Sequence, residues 1–96
     1  MVLEVAIIDV TDADGFEAAY RGAREQLTST DGCRSVRMTS GIESPHRFVL
    51  MVEWDSVEAH EANFRQTDRF AQWRAAIGPH FARPPLVQHF NEVTPE

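Results

Sequence analysis

The sequence predicts an α+β sandwich with the element order β-α-β-β-α-β, and three observations predict it. Two nearly continuous apolar runs, at residues 2–8 and 48–54, have the character of strands buried on both faces. Two segments, at 34–40 and 86–93, alternate polar and apolar residues as edge strands do. Between them lie two stretches whose apolar residues recur at helical spacing. The chain has 96 residues, 43% of them hydrophobic and 25% charged, which is the composition of a single globular domain spanning 1–96.

Each element has its own justification. Residues 2–8 carry Val2, Leu3, Val5, Ala6, Ile7 and Ile8, a β-branched run that suits a central strand. Thr11 and Asp14 have the spacing of a capping box, and Phe16, Tyr20, Ala23 and Leu27 then mark one face of a helix over 12–29. Asp31 and Gly32 end it with a turn. After the edge strand at 34–40, Gly41 to Pro45 form a turn, and Phe48, Val49, Leu50, Met51, Val52 and Trp54 make a second central strand. Asp55 and Glu58 are a second capping pair, opening a short helix that carries Ala59, His60, Asn63 and Phe64. A break at 66–68, with Thr67 or Asp68 as a new cap, precedes a helix over 68–77 that Gly78 and Pro79 stop. Pro84 and Pro85 bound the last strand, 86–93.

That order is the ferredoxin-like one, in which the first and third strands lie inside the sheet and the second and fourth outside. Helices cover one face of such a sheet, yet both parities of the two central strands are largely apolar. The expectation is a homodimer joined through the uncovered sheet face, because a short chain has a thin core and two-fold dimers are the commonest oligomers.

Composition excludes several functions. Nine arginines and no lysine stand against 15 acidic residues, a net charge of -6. Schiff-base lysine chemistry and a P-loop are absent, and nucleic acid, which needs clustered positive charge, is not an expected partner. Cys33 is the only cysteine, so neither an internal disulfide nor a cysteine zinc cluster can form, and no histidine neighbours it in sequence to make it a nucleophile. No apolar run approaches 18 residues, and Glu4 interrupts the first segment. The expectation is therefore no membrane span, no signal peptide and a cytoplasmic protein.

The residues able to carry chemistry are few. His60 and Phe64, four apart, share a helix face with Asn63 beside them. His60 titrates near neutrality and reads either as a base for a phenol or enol, or as a histidine packed at the helix–sheet seam. Trp54 shares its parity with Phe48, Leu50 and Val52, which places it near the mouth of any cavity under the helices, as a stacking platform or as core. Arg74 lies at the margin of the stripe formed by Phe70, Trp73 and Ile77, where a guanidinium can hold an anion or simply be solvated. The spacings of His60, His80 and His89 match no metal-ligand pattern, so no metal is expected. No serine sits in a nucleophile elbow.

The stretch Trp54-Asp55-Ser56-Val57-Glu58-Ala59-His60, followed by Phe64, FAQWRAAIGPHF at 70–81 and PPLVQHF at 84–90, resembles the antibiotic biosynthesis monooxygenase family of dimeric α+β barrel proteins. The resemblance implies a ferredoxin-like protomer, a dimer through the sheets, and a pocket between sheet and helices in each protomer. In the branch of that family that oxidises aromatic polyketides with neither metal nor flavin, a Trp closes the third strand, a Tyr follows six residues later, and an Arg lies twenty after the Trp. Here those places hold Trp54, His60 and Arg74. The branch also has an Asn four residues before the Trp, where this chain has Leu50. The haem-degrading branch is less well matched, since the first strand has no Asn and its helical Trp and His fall on Phe64 and Arg74.

What the resemblance implies is a cofactor-independent monooxygenase for a small aromatic molecule. His60 would be the base, Arg74 the charge partner, and Trp54, Leu50, Phe64, Trp73 and His89 the substrate-binding residues. The alternative it leaves is a small-ligand-binding or stress-associated dimer that keeps the fold without the reaction.

Overall fold

The computed structural model describes all 96 residues, Met1–Glu96. Strand β1 (Val2–Asp9) leads into helix α1 (Ala13–Thr28), and strands β2 (Cys33–Ser40) and β3 (Arg47–Trp54) form the following hairpin. A short helix α2 (Val57–His60) widens at once into a π-helical turn (Glu61–Arg65). Helix α3 (Asp68–Ile77), a 3-10 turn (Gly78–His80) and strand β4 (Leu86–Phe90) complete the chain. The sheet order is β2-β3-β1-β4, antiparallel throughout. The ferredoxin-like α+β class is therefore observed, with the two apolar runs at the centre and the two alternating segments at the edges. No helix is long and apolar enough to cross a membrane.

Burial follows the strand period. On β1, Glu4, Ala6 and Ile8 are buried while their neighbours are only half-buried; on β3, Phe48, Leu50, Val52 and Trp54 are buried in the same way. The register places Ala6 opposite Leu50 and Ile8 opposite Phe48, so one face of the sheet is continuous and meets α1 and α3. Phe16 of α1 closes on Phe48 with ring centroids 4.7 Å apart, and Leu27 and Ile77 complete this core. The opposite face carries Leu3, Val5, Ile7, Val49 and Met51, which no helix of the chain covers.

Local details correct the expected boundaries. The cap of α1 is Asp12, whose Oδ1 accepts the Gly15 N–H at 3.1 Å, rather than Thr11. The cap of α2 is Ser56, whose Oγ accepts the Ala59 N–H at 3.1 Å, because Asp55 is turned outward to pair with Arg34. Thr67 is the cap position of α3, as expected. Strand β4 stops at Phe90 instead of reaching 93: Phe90 lies opposite Leu3, and only Val2 of β1 lies beyond that pair, so residues 92 and 93 have no strand to pair with. Gly32 takes a positive φ of 90°, and its carbonyl accepts the Asp55 N–H at 2.8 Å, so this turn ties the end of α1 to the start of α2.

Candidate functional site

A cavity of about 410 Å³ lies between the sheet and the helices, within the size range of small-molecule sites. Its floor is the helix-facing side of β1 and β3 (Glu4, Ala6, Ile8 and Leu50), and its walls come from Phe64, Phe70, Trp73, Ile77 and Phe81. Pro84, Pro85 and Val87 close one side. Apolar positions dominate because this volume is the unfilled end of the core. The charged and titratable exceptions are Glu4, His60, Arg65 and Arg74.

His60 is 3% exposed. It ends α2 where the helix widens, and that widening lets Phe64 lie alongside it, with ring centroids 6.0 Å apart and planes at 23°. Trp54 stacks on it at 4.9 Å and 19°, and the Trp54 and Phe64 rings themselves meet at 6.1 Å. The imidazole is thus one corner of a compact aromatic triangle. Its Nδ1 is 2.7 Å from Nε2 of His89, and its Nε2 is 3.4 Å from Oε1 of Glu4. The same Oε1 accepts the Trp54 Nε1–H at 2.9 Å.

Glu4, 5% exposed, sits on β1 between Val52 and His89 in the ladder. Burial pushes its carboxyl pKa up, the Trp54 N–H and the Arg65 charge pull the other way, and Glu61 adds to the rise. Burial also pushes His60 down from 6.5 to about 4, helped by His89 and Arg65. Both groups are thereby held toward their neutral forms, as expected of polar side chains sealed among aromatic rings. Across the cavity Arg74 lies on the exposed side of α3, its guanidinium 5.3 Å from the Phe81 ring centroid. It forms no ion pair within the chain, whereas Arg65 faces Glu61 at 3.9 Å. The thiol of Cys33 is pushed up by burial and by the Glu4 charge, which disfavours the nucleophilic thiolate.

The histidines that the sequence offers as metal ligands divide. His80 lies at the other end of the fold, where its carbonyl accepts the Thr11 N–H at 2.9 Å. Glu61 takes its place beside His60 and His89, with potential ligand atoms of the three residues within 4.8 Å of one another. The two histidine nitrogens, 2.7 Å apart, are at hydrogen-bond spacing. Two nitrogens sharing a tetrahedral ion at about 2.0–2.1 Å each would stand roughly 3.3 Å apart, so His89 would have to swing outward to admit one.

Of the residues singled out in the sequence, His60, Arg74, Leu50, Phe64 and Trp73 line the cavity. Trp54 and His89 do not: Trp54 is fully buried behind His60 rather than at a mouth, and His89 backs His60 from β4. Glu4 and Arg65 line the cavity without having been singled out. The signal for Glu4 was its parity: a lone carboxylate in step with Ala6 and Ile8 in a strand otherwise apolar on both faces.

The family model for antibiotic biosynthesis monooxygenase matches residues 1–76. The chain belongs to that family. Among solved structures, a Bordetella bronchiseptica protein bearing the name of the antibiotic biosynthesis monooxygenases is 37% identical, with a TM-score of 0.91 over 97% of both chains. The Bacillus subtilis protein YczJ, itself uncharacterised, is 28% identical over 95 residues, which span 97% of this chain and all of that one. SnoaB from Streptomyces nogalater, a cofactor-independent oxygenase, shares the fold with a TM-score of 0.84 over 99% of this chain and 97% of its own, at 14% identity. In this antibiotic biosynthesis monooxygenase family member, Glu4, His60 and His89 form an acid–histidine–histidine chain at the cavity wall.

Proposed function

We propose that the protein is a cofactor-independent monooxygenase that oxidises a small electron-rich phenol or related aromatic with dioxygen. The observation that carries this reading is the joining, in one apolar cavity, of a buried acid–base pair, Glu4 and His60, with the unpaired guanidinium of Arg74. An electron-rich carbanion or phenolate passes an electron to dioxygen directly, so the protein need only bind the flat molecule, remove its proton and stabilise the anion. Phe64 and Trp73 offer apolar walls, the His60 network accepts the proton, and Arg74 balances the negative charge in this reading. The stoichiometry is one methylene and one dioxygen giving one carbonyl and one water.

The working unit in this reading is a homodimer in the cytoplasm, formed through the uncovered sheet face so that each protomer keeps its own cavity. Neither a metal nor a flavin takes part in the reaction proposed.

Oxygen uptake with an anthrone-type phenol tests the assignment. Consumption should exceed the spontaneous rate, and His60→Ala and Arg74→Ala should each lower it by about tenfold or more, since positioned acid–base groups contribute roughly 10²–10⁴. If such phenols are not consumed above background, or both variants keep the full rate, the reading fails. Saturable binding of the phenol without oxygen uptake would favour the ligand-binding alternative, for which the cavity alone suffices.

A further inference from the structure

We propose that Glu4 is the catalytic residue that takes the substrate proton, with His60, His89 and Trp54 as the residues that hold and poise it. This inference rests on the monooxygenase reading and names the atom at which its proton transfer occurs.

The geometry separates the two candidates for the base. His60 is committed on one edge, its Nδ1 joined to His89 at 2.7 Å, and it is buried in one aromatic cluster with Trp54 and Phe64. Glu4 is committed through one oxygen only: Oε1 takes the Trp54 N–H and faces His60 Nε2. Its Oε2 takes no hydrogen bond from the protein, and no side-chain polar atom is both sealed from its surroundings and unpartnered. Glu4 lines the cavity, so this second oxygen has the cavity as its outlet. A carboxylate fixed through one oxygen and open through the other is oriented as a base.

The relative basicities agree with the geometry. Burial drives His60 down to about 4, making it a poor acceptor, and drives Glu4 upward, making it a better one. The groups around Glu4 set that balance. His60 faces it from the end of α2, Glu61 and Arg65 from the π-helical turn that follows, His89 from β4 and Cys33 from β2, while Arg74 of α3 shares the cavity. Arg65 alone among them lies close enough to favour the ionised carboxylate.

The proton balance closes without an added oxidant beyond dioxygen. Glu4 takes one proton from the activated methylene or from its phenol tautomer, leaving a carbanion. The carbanion gives its electron pair, one electron at a time, to dioxygen and forms a carbon–oxygen bond. Loss of the second methylene hydrogen as a proton, with cleavage of the O–O bond, then yields the carbonyl and a hydroxide, the peroxide having entered that step as its anion. The proton and the peroxide oxygen leave together as this hydroxide, and Glu4 returns its own proton to give water. Glu4 ends ionised, ready for another turnover.

The test combines kinetics with a spectroscopic readout that a merely structural role would not move. Glu4→Gln keeps the acceptor for the Trp54 N–H, so it should fold, bind substrate with an unchanged KM, and lose about 100-fold or more in kcat. Glu4→Asp should recover part of that loss. His89→Ala, a change in a positioning residue, should move the acidic limb of the pH profile without abolishing turnover. Infrared difference spectroscopy on mixing the protein with 4-nitrophenol should show a carboxylic acid band appear as the phenol ionises, and Glu4→Gln should remove that band. A folded Glu4→Gln variant within threefold of the wild-type rate overturns the proposal. If the wild type consumes no phenol at all, the monooxygenase reading falls; the infrared arm still judges Glu4, and absence of the acid band overturns its assignment independently.

Discussion

Acid should weaken this fold through a single imidazole. His60 is buried, and its pKa falls from 6.5 to about 4, so the unfolded chain binds a proton there that the folded chain refuses. The sign follows from linkage: where the unfolded state holds more protons, stability rises with pH, so the contribution of His60 is intact above about pH 6.5 and is lost as pH falls toward 4. A difference of roughly 2.5 pKa units, at 1.36 kcal/mol each, limits the loss to about 3 kcal/mol, of which about 2 kcal/mol is gone by pH 5. Glu4 works in the opposite sense, because its raised pKa makes protonation favour the folded state as pH drops. The clean comparison therefore uses Glu4→Gln as background, with and without His60→Gln. Urea unfolding followed by tryptophan fluorescence at pH 8 and pH 5, at one protein concentration, should show about 2 kcal/mol more acid loss in the protein that keeps His60. Equal losses in the two proteins would refute the buried neutral imidazole.

Two further outcomes rest on the backbone and on the open sheet face. Gly32→Ala should destabilise the protein by at least about 1–2 kcal/mol, the usual left-handed penalty, since φ is 90° there and an added Cβ would stand 2.6 Å from Cβ of Ala59; an unchanged urea midpoint would argue against that turn. On the uncovered face Val5 and Met51 lie directly opposite each other, so charges of one sign at both positions should turn a dimer into monomers in sedimentation velocity. A wild-type protein that already sediments as a monomer at micromolar concentration would remove the dimer from the proposed function.

Much of the fold was legible because it depends on periodicities local to each element. The continuous apolar runs of β1 and β3 and the alternation of β2 and β4 each record how many faces a strand buries, and that count separates the central pair from the two edges. The caps were less legible. Asp12 and Ser56 displace Thr11 and Asp55 because neighbouring small polar residues are interchangeable in sequence, while the oxygen that reaches back to the helix depends on the local backbone, extended at Asp12 and Ser56. The end of β4 was misplaced for a non-local reason, since it depends on where β1 runs out.

The candidate site was legible in proportion to how far its parts lie from one another in sequence. Leu50 could be placed by strand parity, and Phe64 and Trp73 by helix spacing, so their meeting in one cavity needed only the packing of helices on a sheet. The contact between His60 and His89 spans 29 positions and depends on the register of an edge strand, which no local period encodes. Glu4 is the instructive case. An acid amid apolar neighbours reads at first as evidence against a membrane segment, and so its position in the strand goes unused. Taken with its parity, the same residue is an acid pointing into the core, a placement that costs stability unless partners such as the Trp54 N–H and His60 offset it. A buried carboxylate held by those partners and opening on an apolar cavity is what a proton-abstracting site requires.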